Sequence, residues 1–177
     1  MPQNKLLTVT NIILLVNLII FFMKDLIPHL DVLLGLNLLF FDLHLYYQLL
    51  STMFVHSGVS HILMNMFILF QFGNIIEASI GKIRFSLLYF IGGILTSIGS
   101  LWYLMFTSNL AQTNLVGASG AISVLLGWIA LRDKTQRGGI VVWIMLISFA
   151  PLFLGLPVAW YSHLIGFVLG WIMGYVI

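Results

Sequence analysis

The sequence predicts an all-α membrane protein of six spans with a first connection lying partly in the bilayer, and three observations carry that expectation. Residues are 61% hydrophobic and 7% charged, with a mean hydropathy of +1.12, which places the chain in the membrane class and not among soluble domains. Apolar runs of about 20 residues, enough to cross about 30 Å of hydrocarbon, recur along it. With six spans both termini share a side. Lys5, Lys82, Arg84, Arg132, Lys134 and Arg137 then fall on that side and Lys24 opposite. Basic residues mark the cytoplasmic face, so the termini are expected inside.

The same composition excludes several functions. Cysteine is absent, which removes disulfides, thiolate metal sites and a cysteine nucleophile. The formal charge of +2 comes from residues scattered over several loops, so no nucleic-acid surface is expected. The first apolar run lacks a small-residue cleavage site, so it reads as a span and not a removable signal. No repeat or low-complexity stretch divides the chain. One membrane domain over residues 1–177 is the expectation.

The spans follow in order. The first runs from Leu6 to Met23 and stops at Lys24-Asp25. Residues 26–46 mix Pro28, His29, Asp31, Asp42 and His44 with short apolar runs. That is too polar to span and too apolar for a solvated loop, and reads as interfacial. The second span is expected from Val59 to Ile80 and the third from Phe85 to Met105, separated by Gly81-Lys82. An uncharged polar connection, 106–116, leads to a fourth span opening at Ser119. The turn Arg132–Arg137 precedes a fifth span from Ile140 towards Pro151, and the sixth covers Ser162 to Ile177.

Candidate chemistry lies at the outer end of the later spans. Gly117-Ala118-Ser119-Gly120 puts a hydroxyl between small residues, where backbone can approach a ligand closely. Ser119 precedes the inner-end Arg132 by about 13 residues, or about 20 Å of helix. The same sum from the C-terminus puts His163 at about 21 Å, the same height. Gly166, Gly170 and Gly174 share a face with His163, and Ser123 and Gly127 share one with Ser119. Two small-residue faces allow backbones to pack closely. Their crossing would bring serine and histidine together as a candidate nucleophile and base. A valine at 170 would then force the helices apart, and an alanine less so.

Other polar groups admit two readings. His61 and Asn65, four residues apart on one face of the second span, are either oxyanion donors or an interhelical hydrogen-bonding pair. His56, in Val55-His56-Ser57-Gly58, reads as structural, bonding loop backbone. Glu77 is about 24 Å below His61 along its helix and reads as a structural group near the inner boundary. With no acid well placed beside His163, the chemistry favours a serine–histidine dyad over a triad. His29 and His44 read as interfacial. The five tryptophans read as interface anchors or packing residues.

The order His56-x4-His61-x3-Asn65, then Gly117-x-Ser119-Gly120, then His163-x2-Gly166-x3-Gly170 resembles the rhomboid intramembrane serine proteases of the basic six-helix form. Glu77 followed by Gly81 resembles the end of that family's second helix. The resemblance covers essentially everything after the first span. It implies a rhomboid-like bundle with residues 26–46 as a membrane-embedded first loop. It also implies Ser119 as nucleophile, His163 as general base, and His61, Asn65 and the Ser119 N–H as oxyanion donors. Span five with the 151–161 loop would gate substrate entry. Two positions depart from the pattern: Tyr47-Gln48 where the family often has Trp-Arg, and Ser123 where it often has an aromatic packed on the histidine.

The expected activity is therefore serine endopeptidase cleavage of transmembrane-helix substrates near the outer membrane face, with no cofactor and no metal. Its partners would be membrane-spanning proteins and the bilayer. The expected location is a bacterial inner membrane, multi-pass. A rival reading is a non-catalytic rhomboid-like protein that binds transmembrane segments, although such relatives typically lack the serine or histidine kept here. A transporter is disfavoured by the scarcity of charges within the spans, and a zinc protease by the lack of a His-Glu-x-x-His set.

Overall fold

A computed structural model describes residues 7–107 and 109–177. Lys5 and Leu6, at the expected start of the first span, lie outside the described residues. Six long helices order the rest: α1 Val9–Met23, α2 Val59–Ile80, α3 Lys82–Phe106, α4 Ser119–Arg132, α5 Arg137–Phe153 and α6 Trp160–Met173. Among the described residues the remaining helices are short, and extended pairing is confined to one bridge, Leu36 with Leu115. Two helices, α2 and α3, are long and apolar enough to cross a membrane, with mean hydropathies of 1.5 and 1.6. The other four are shorter apolar helices.

The helix ends follow from where backbone groups find partners. At the start of α1, Thr8 accepts from Asn11 N at 3.0 Å. The Glu77 carboxylate accepts from Val9 N and Thr10 N, each at 2.8 Å, and from Thr10 Oγ1 at 2.9 Å. The first three N–H groups of a helix have no partner within it, so Glu77 both caps α1 and fastens it to α2. Gly81, at φ +83°, lets α2 end and α3 begin on the next residue. Both helices contain a widened π turn, Leu69–Gly73 and Leu87–Ile91.

Between α4 and α5, Asp133 Oδ1 accepts from Thr135 N at 2.8 Å and Thr135 Oγ1 at 2.6 Å. These bonds to Thr135, with others from Gln136, hold its carboxyl below the usual carboxylate range. Arg137 donates to the carbonyls of Ala130 at 2.7 Å and Leu131 at 3.2 Å, closing the C-terminal end of α4. That use draws Arg137 into the first turn of α5, where the sequence places it in a turn. Trp160 likewise starts α6 although the sequence places it in the loop, because its ring packs on Tyr103 and Tyr161.

The fold centres on α4. Ten of its fourteen residues are buried, as a helix apolar all round must be. Its most extensive packing is on α6. The main core joins α2, α3 and α4 around Leu69, Phe85, Leu88, Tyr89, Val124 and Leu125. A second cluster, including Leu36, Phe40, Leu101, Leu110 and Leu115, seats the first loop on the C-terminal end of α3. Large apolar side chains such as Phe67, Trp102, Phe106 and Phe153 face outward.

Candidate active site

The chain leading into α4 is fixed at successive backbone groups. Leu36 and Leu115 exchange N–H···O bonds of 2.9 Å in both directions. Thr52 Oγ1 donates to the Leu115 carbonyl, and Gly117 N donates to the Thr52 carbonyl at 3.0 Å. Ala118 N donates to His56 Nε2 at 3.5 Å. His56 is fully buried, outside the six long helices. Burial first, and then the neighbouring His61, push its imidazole down to about 3 from 6.5, so it stays neutral and can accept. This is the loop-bonding role expected from its position.

Gly117 has φ +125°, a region other residues rarely adopt. A Cβ there would lie 2.8 Å from both Cε1 and Nε2 of His61. The His61 ring therefore rests edge-on against the turn that delivers Ser119. Its Nδ1 lies 3.1 Å from Ser57 Oγ, and its ring meets that of His56 edge to face at 5.0 Å. Asn65, one turn further along α2, donates from Nδ2 to the His61 carbonyl at 2.8 Å. In this arrangement one amide proton of Asn65 serves its own helix.

Ser119 is the first residue of α4, so its N–H lies among those left unpaired at a helix start. His163 Nε2 stands 3.0 Å from Ser119 Oγ. The contact exists because α4 and α6 cross almost backbone to backbone. A Cβ on Gly166 would strike the Gly120 carbonyl, one on Gly170 the Val124 carbonyl, and one on Gly127 the Phe167 carbonyl. Gly127 and Gly170 pack in stagger, each against backbone of the other helix, and do not face each other. Ser123 donates to the Ser119 carbonyl at 2.7 Å, and its Cβ lies 3.1 Å from the Cβ position of Gly166. The small residue that departs from the family pattern here occupies the crossing.

Two polar residues make contacts that the sequence reading did not assign: Ser148, which it did not name, and Gln48, which it named only as a departure from the family pattern. Ser148 Oγ, from α5, lies 3.3 Å from His163 Nδ1. The signal was present, since Ile140, Ile144 and Ser148 form the buried i, i+4, i+8 face of α5. Gln48 is fully buried; its Nε2 donates to the carbonyls of Val32 at 3.3 Å and Leu33 at 3.1 Å, and its Oε1 accepts from Asn37 N at 3.4 Å. Asn37 in turn donates to Asn114 Oδ1 at 2.9 Å. The first loop is thus anchored by amides where the family often uses Trp-Arg. Behind Ser119, a cavity with room for about one water lies between Thr52, Thr96, Ser97 and Ser162.

Residues 44–177 match the family model described as Rhomboid domain. RHOMBOID-like protein 4 of Arabidopsis thaliana is 38% identical over 142 residues, covering 74% of this chain and 34% of the relative. RHOMBOID-like protein 2 of the same plant is 34% identical over 145 residues, 76% of this chain and 43% of the relative. Rhomboid protease GlpG of Haemophilus influenzae is 27% identical over 141 residues, 73% of this chain and 69% of the relative. The chain spans between about a third and under half of the plant relatives' length.

Proposed function

This chain belongs to the rhomboid family, and from that premise we propose that it is an intramembrane serine endopeptidase acting on transmembrane helices near the outer face. The observation that carries the reading is the 3.0 Å approach of His163 Nε2 to Ser119 Oγ, a nucleophile within reach of a base. In this reading all six helices cross the membrane, residues 1–177 form one domain, and the termini face the cytoplasm.

Ser119 Oγ attacks the scissile carbonyl carbon while its proton passes to His163 Nε2. The carbonyl oxygen becomes an oxyanion beside the free N–H of Ser119, with His61 Nε2–H and the Asn65 amide as the further donors. For that step Asn65 directs its second amide proton away from the His61 carbonyl. Fixed donors aimed at developing charge need no reorganisation during reaction. The intermediate collapses, the C–N bond breaks, and His163 returns its proton to the leaving amine. Water then attacks the acyl-enzyme with His163 again as base. The small cavity beside Ser119 is a polar place to hold that water. A peptide bond inside a helix is shielded, so the substrate unwinds locally, and small residues at its outer end favour this.

A serine-directed fluorophosphonate applied to membranes tests the reading. Wild type should be labelled, and Ser119→Ala should be neither labelled nor able to cleave a model transmembrane substrate. Full cleavage by the folded alanine variant would end the enzyme assignment. Binding of transmembrane segments without labelling would favour a non-catalytic role.

A further inference from the structure

A neutral imidazole carries one proton on one of two nitrogens. For His163 to take the Ser119 proton at Nε2, that nitrogen must be bare and the ring proton must sit on Nδ1. A buried N–H without an acceptor is costly, and His163 is 5% exposed. Ser148 Oγ lies 3.3 Å from Nδ1 and is itself fully buried. It belongs to neither dyad helix.

We propose that Ser148 is a positioning residue, which accepts the Nδ1–H bond, selects the tautomer with Nε2 bare, and thereby ties readiness of the base to the seating of α5. The proposal rests on the serine–histidine reading above. The two ends of α5 are held differently. Its inner end is fastened by Arg137 to the Ala130 and Leu131 carbonyls and stacks the guanidinium over Trp171 at 4.9 Å. Its outer end has the Phe149–Trp160 contact at 5.8 Å and then the exposed Leu152, Phe153 and Leu154. Movement of α5 would pivot about the pinned end. Ser148 lies about 16 Å along the helix from Arg137, so it moves far more than the pivot does. A displacement of about 1 Å takes a 3.3 Å contact out of hydrogen-bonding range. An outward α5 leaves Nδ1–H without its acceptor and the base unready; reseating restores both. The enzyme then activates its serine only when α5 has closed.

The test compares purified wild type, Ser148→Ala and Ser148→Thr, using the rate of fluorophosphonate labelling and kcat and KM on a model transmembrane substrate. Ser148→Ala removes one oxygen from a packed site and leaves the fold intact. It should slow labelling and lower kcat about tenfold, the worth of one neutral hydrogen bond, with KM unchanged. Ser148→Thr keeps the hydroxyl while adding bulk, and should recover most of the loss. Packing alone predicts the opposite ranking. Wild-type labelling and kcat in Ser148→Ala would overturn the proposal, as would equal losses in both variants or an effect on KM alone. A wild type that resists labelling would instead sink the protease reading, and this one with it.

Discussion

Where α4 meets α6, carbonyl oxygens occupy the space that side chains would fill, and each helix is held by the other's backbone. Where α5 faces α2, an open groove runs between Phe67, Phe72, Ile140 and Trp143, and α5 buries only Ile140, Ile144 and Ser148. The first contact sets a distance to a fraction of an ångström. The second leaves a helix with few buried apolar contacts, the kind of element that opens at low free energy. The histidine touches both regions, with Nε2 towards the rigid one and Nδ1 towards the loose one. Under the proposed reaction, in which a helix must be admitted while a 3.0 Å contact is held, this division is what the site needs.

The largest expected effect breaks the rigid side. At Gly170 even an alanine methyl lands on the Val124 carbonyl and within 2.8 Å of its Cα, so the gradation expected from sequence, alanine mild and valine severe, does not hold. Backbone cannot step aside as a side-chain tip does. Overpacking costs about 1–3 kcal/mol or more, and a shift of about 1 Å at reacting groups costs about 10²-fold in rate. Gly170→Ala and Gly170→Val should both lose most cleavage and most fluorophosphonate labelling while every reactive residue remains. Near-normal cleavage by a well-folded Gly170→Ala protein would show that the crossing does not set the dyad distance.

A smaller effect separates the site's acid sensitivity from its packing. His56 is neutral in the fold, with its pKa lowered to about 3 from 6.5, so the unfolded chain binds a proton that the folded chain refuses. Its contribution is fully present above pH 6.5 and is lost as pH falls from there towards 3. By pH 5 the loss should reach about 2 kcal/mol. Thermal melts of wild type and His56→Gln in detergent at pH 7 and pH 5 isolate it. The wild type should lose more stability on acidification than the variant. Parallel losses would place the acid sensitivity elsewhere.

The rigid side was legible in the sequence and the loose side was not, for a physical reason. Glycines every four residues at 166, 170 and 174 announce a helix face with nothing standing on it, and equal counts from the inner ends put serine and histidine at one height. Local spacing carries that information. Ser148 sits among apolar residues on a helix without a stripe, and its partner lies across a tertiary contact, so only the i, i+4, i+8 burial face hinted at it. Gln48 shows the converse. Its position matched an anchoring site but its residue type did not, and the amide fills the role through carbonyls of Val32 and Leu33 that a pattern of residue types cannot display. The π turns at Leu69–Gly73 and Leu87–Ile91 left no periodic trace either, since each shifts the helix phase within a run apolar on both sides.

The smallest effect uses the same substitution as the largest, moved to the loose side. Gly138 stands in the first turn of α5, and a Cβ there would meet nothing within 4 Å. Alanine in a helix is favoured over glycine by about 0.5–1 kcal/mol, chiefly because the unfolded chain has less freedom to lose. Gly138→Ala should therefore raise the melting temperature slightly, where Gly170→Ala lowers it. Activity should stay within about twofold of wild type, since one hydrogen bond's worth of change would be about tenfold and no bond is touched. The N-terminal end of α5 is already fastened by Arg137, so stiffening it leaves the C-terminal end free to move. A marked fall in cleavage by Gly138→Ala would mean that α5 bends at its first turn instead of pivoting as a rod. The loose region would then begin at the charged turn, and the pivot inferred for Ser148 would lie at 138 and not at the Arg137 clamp.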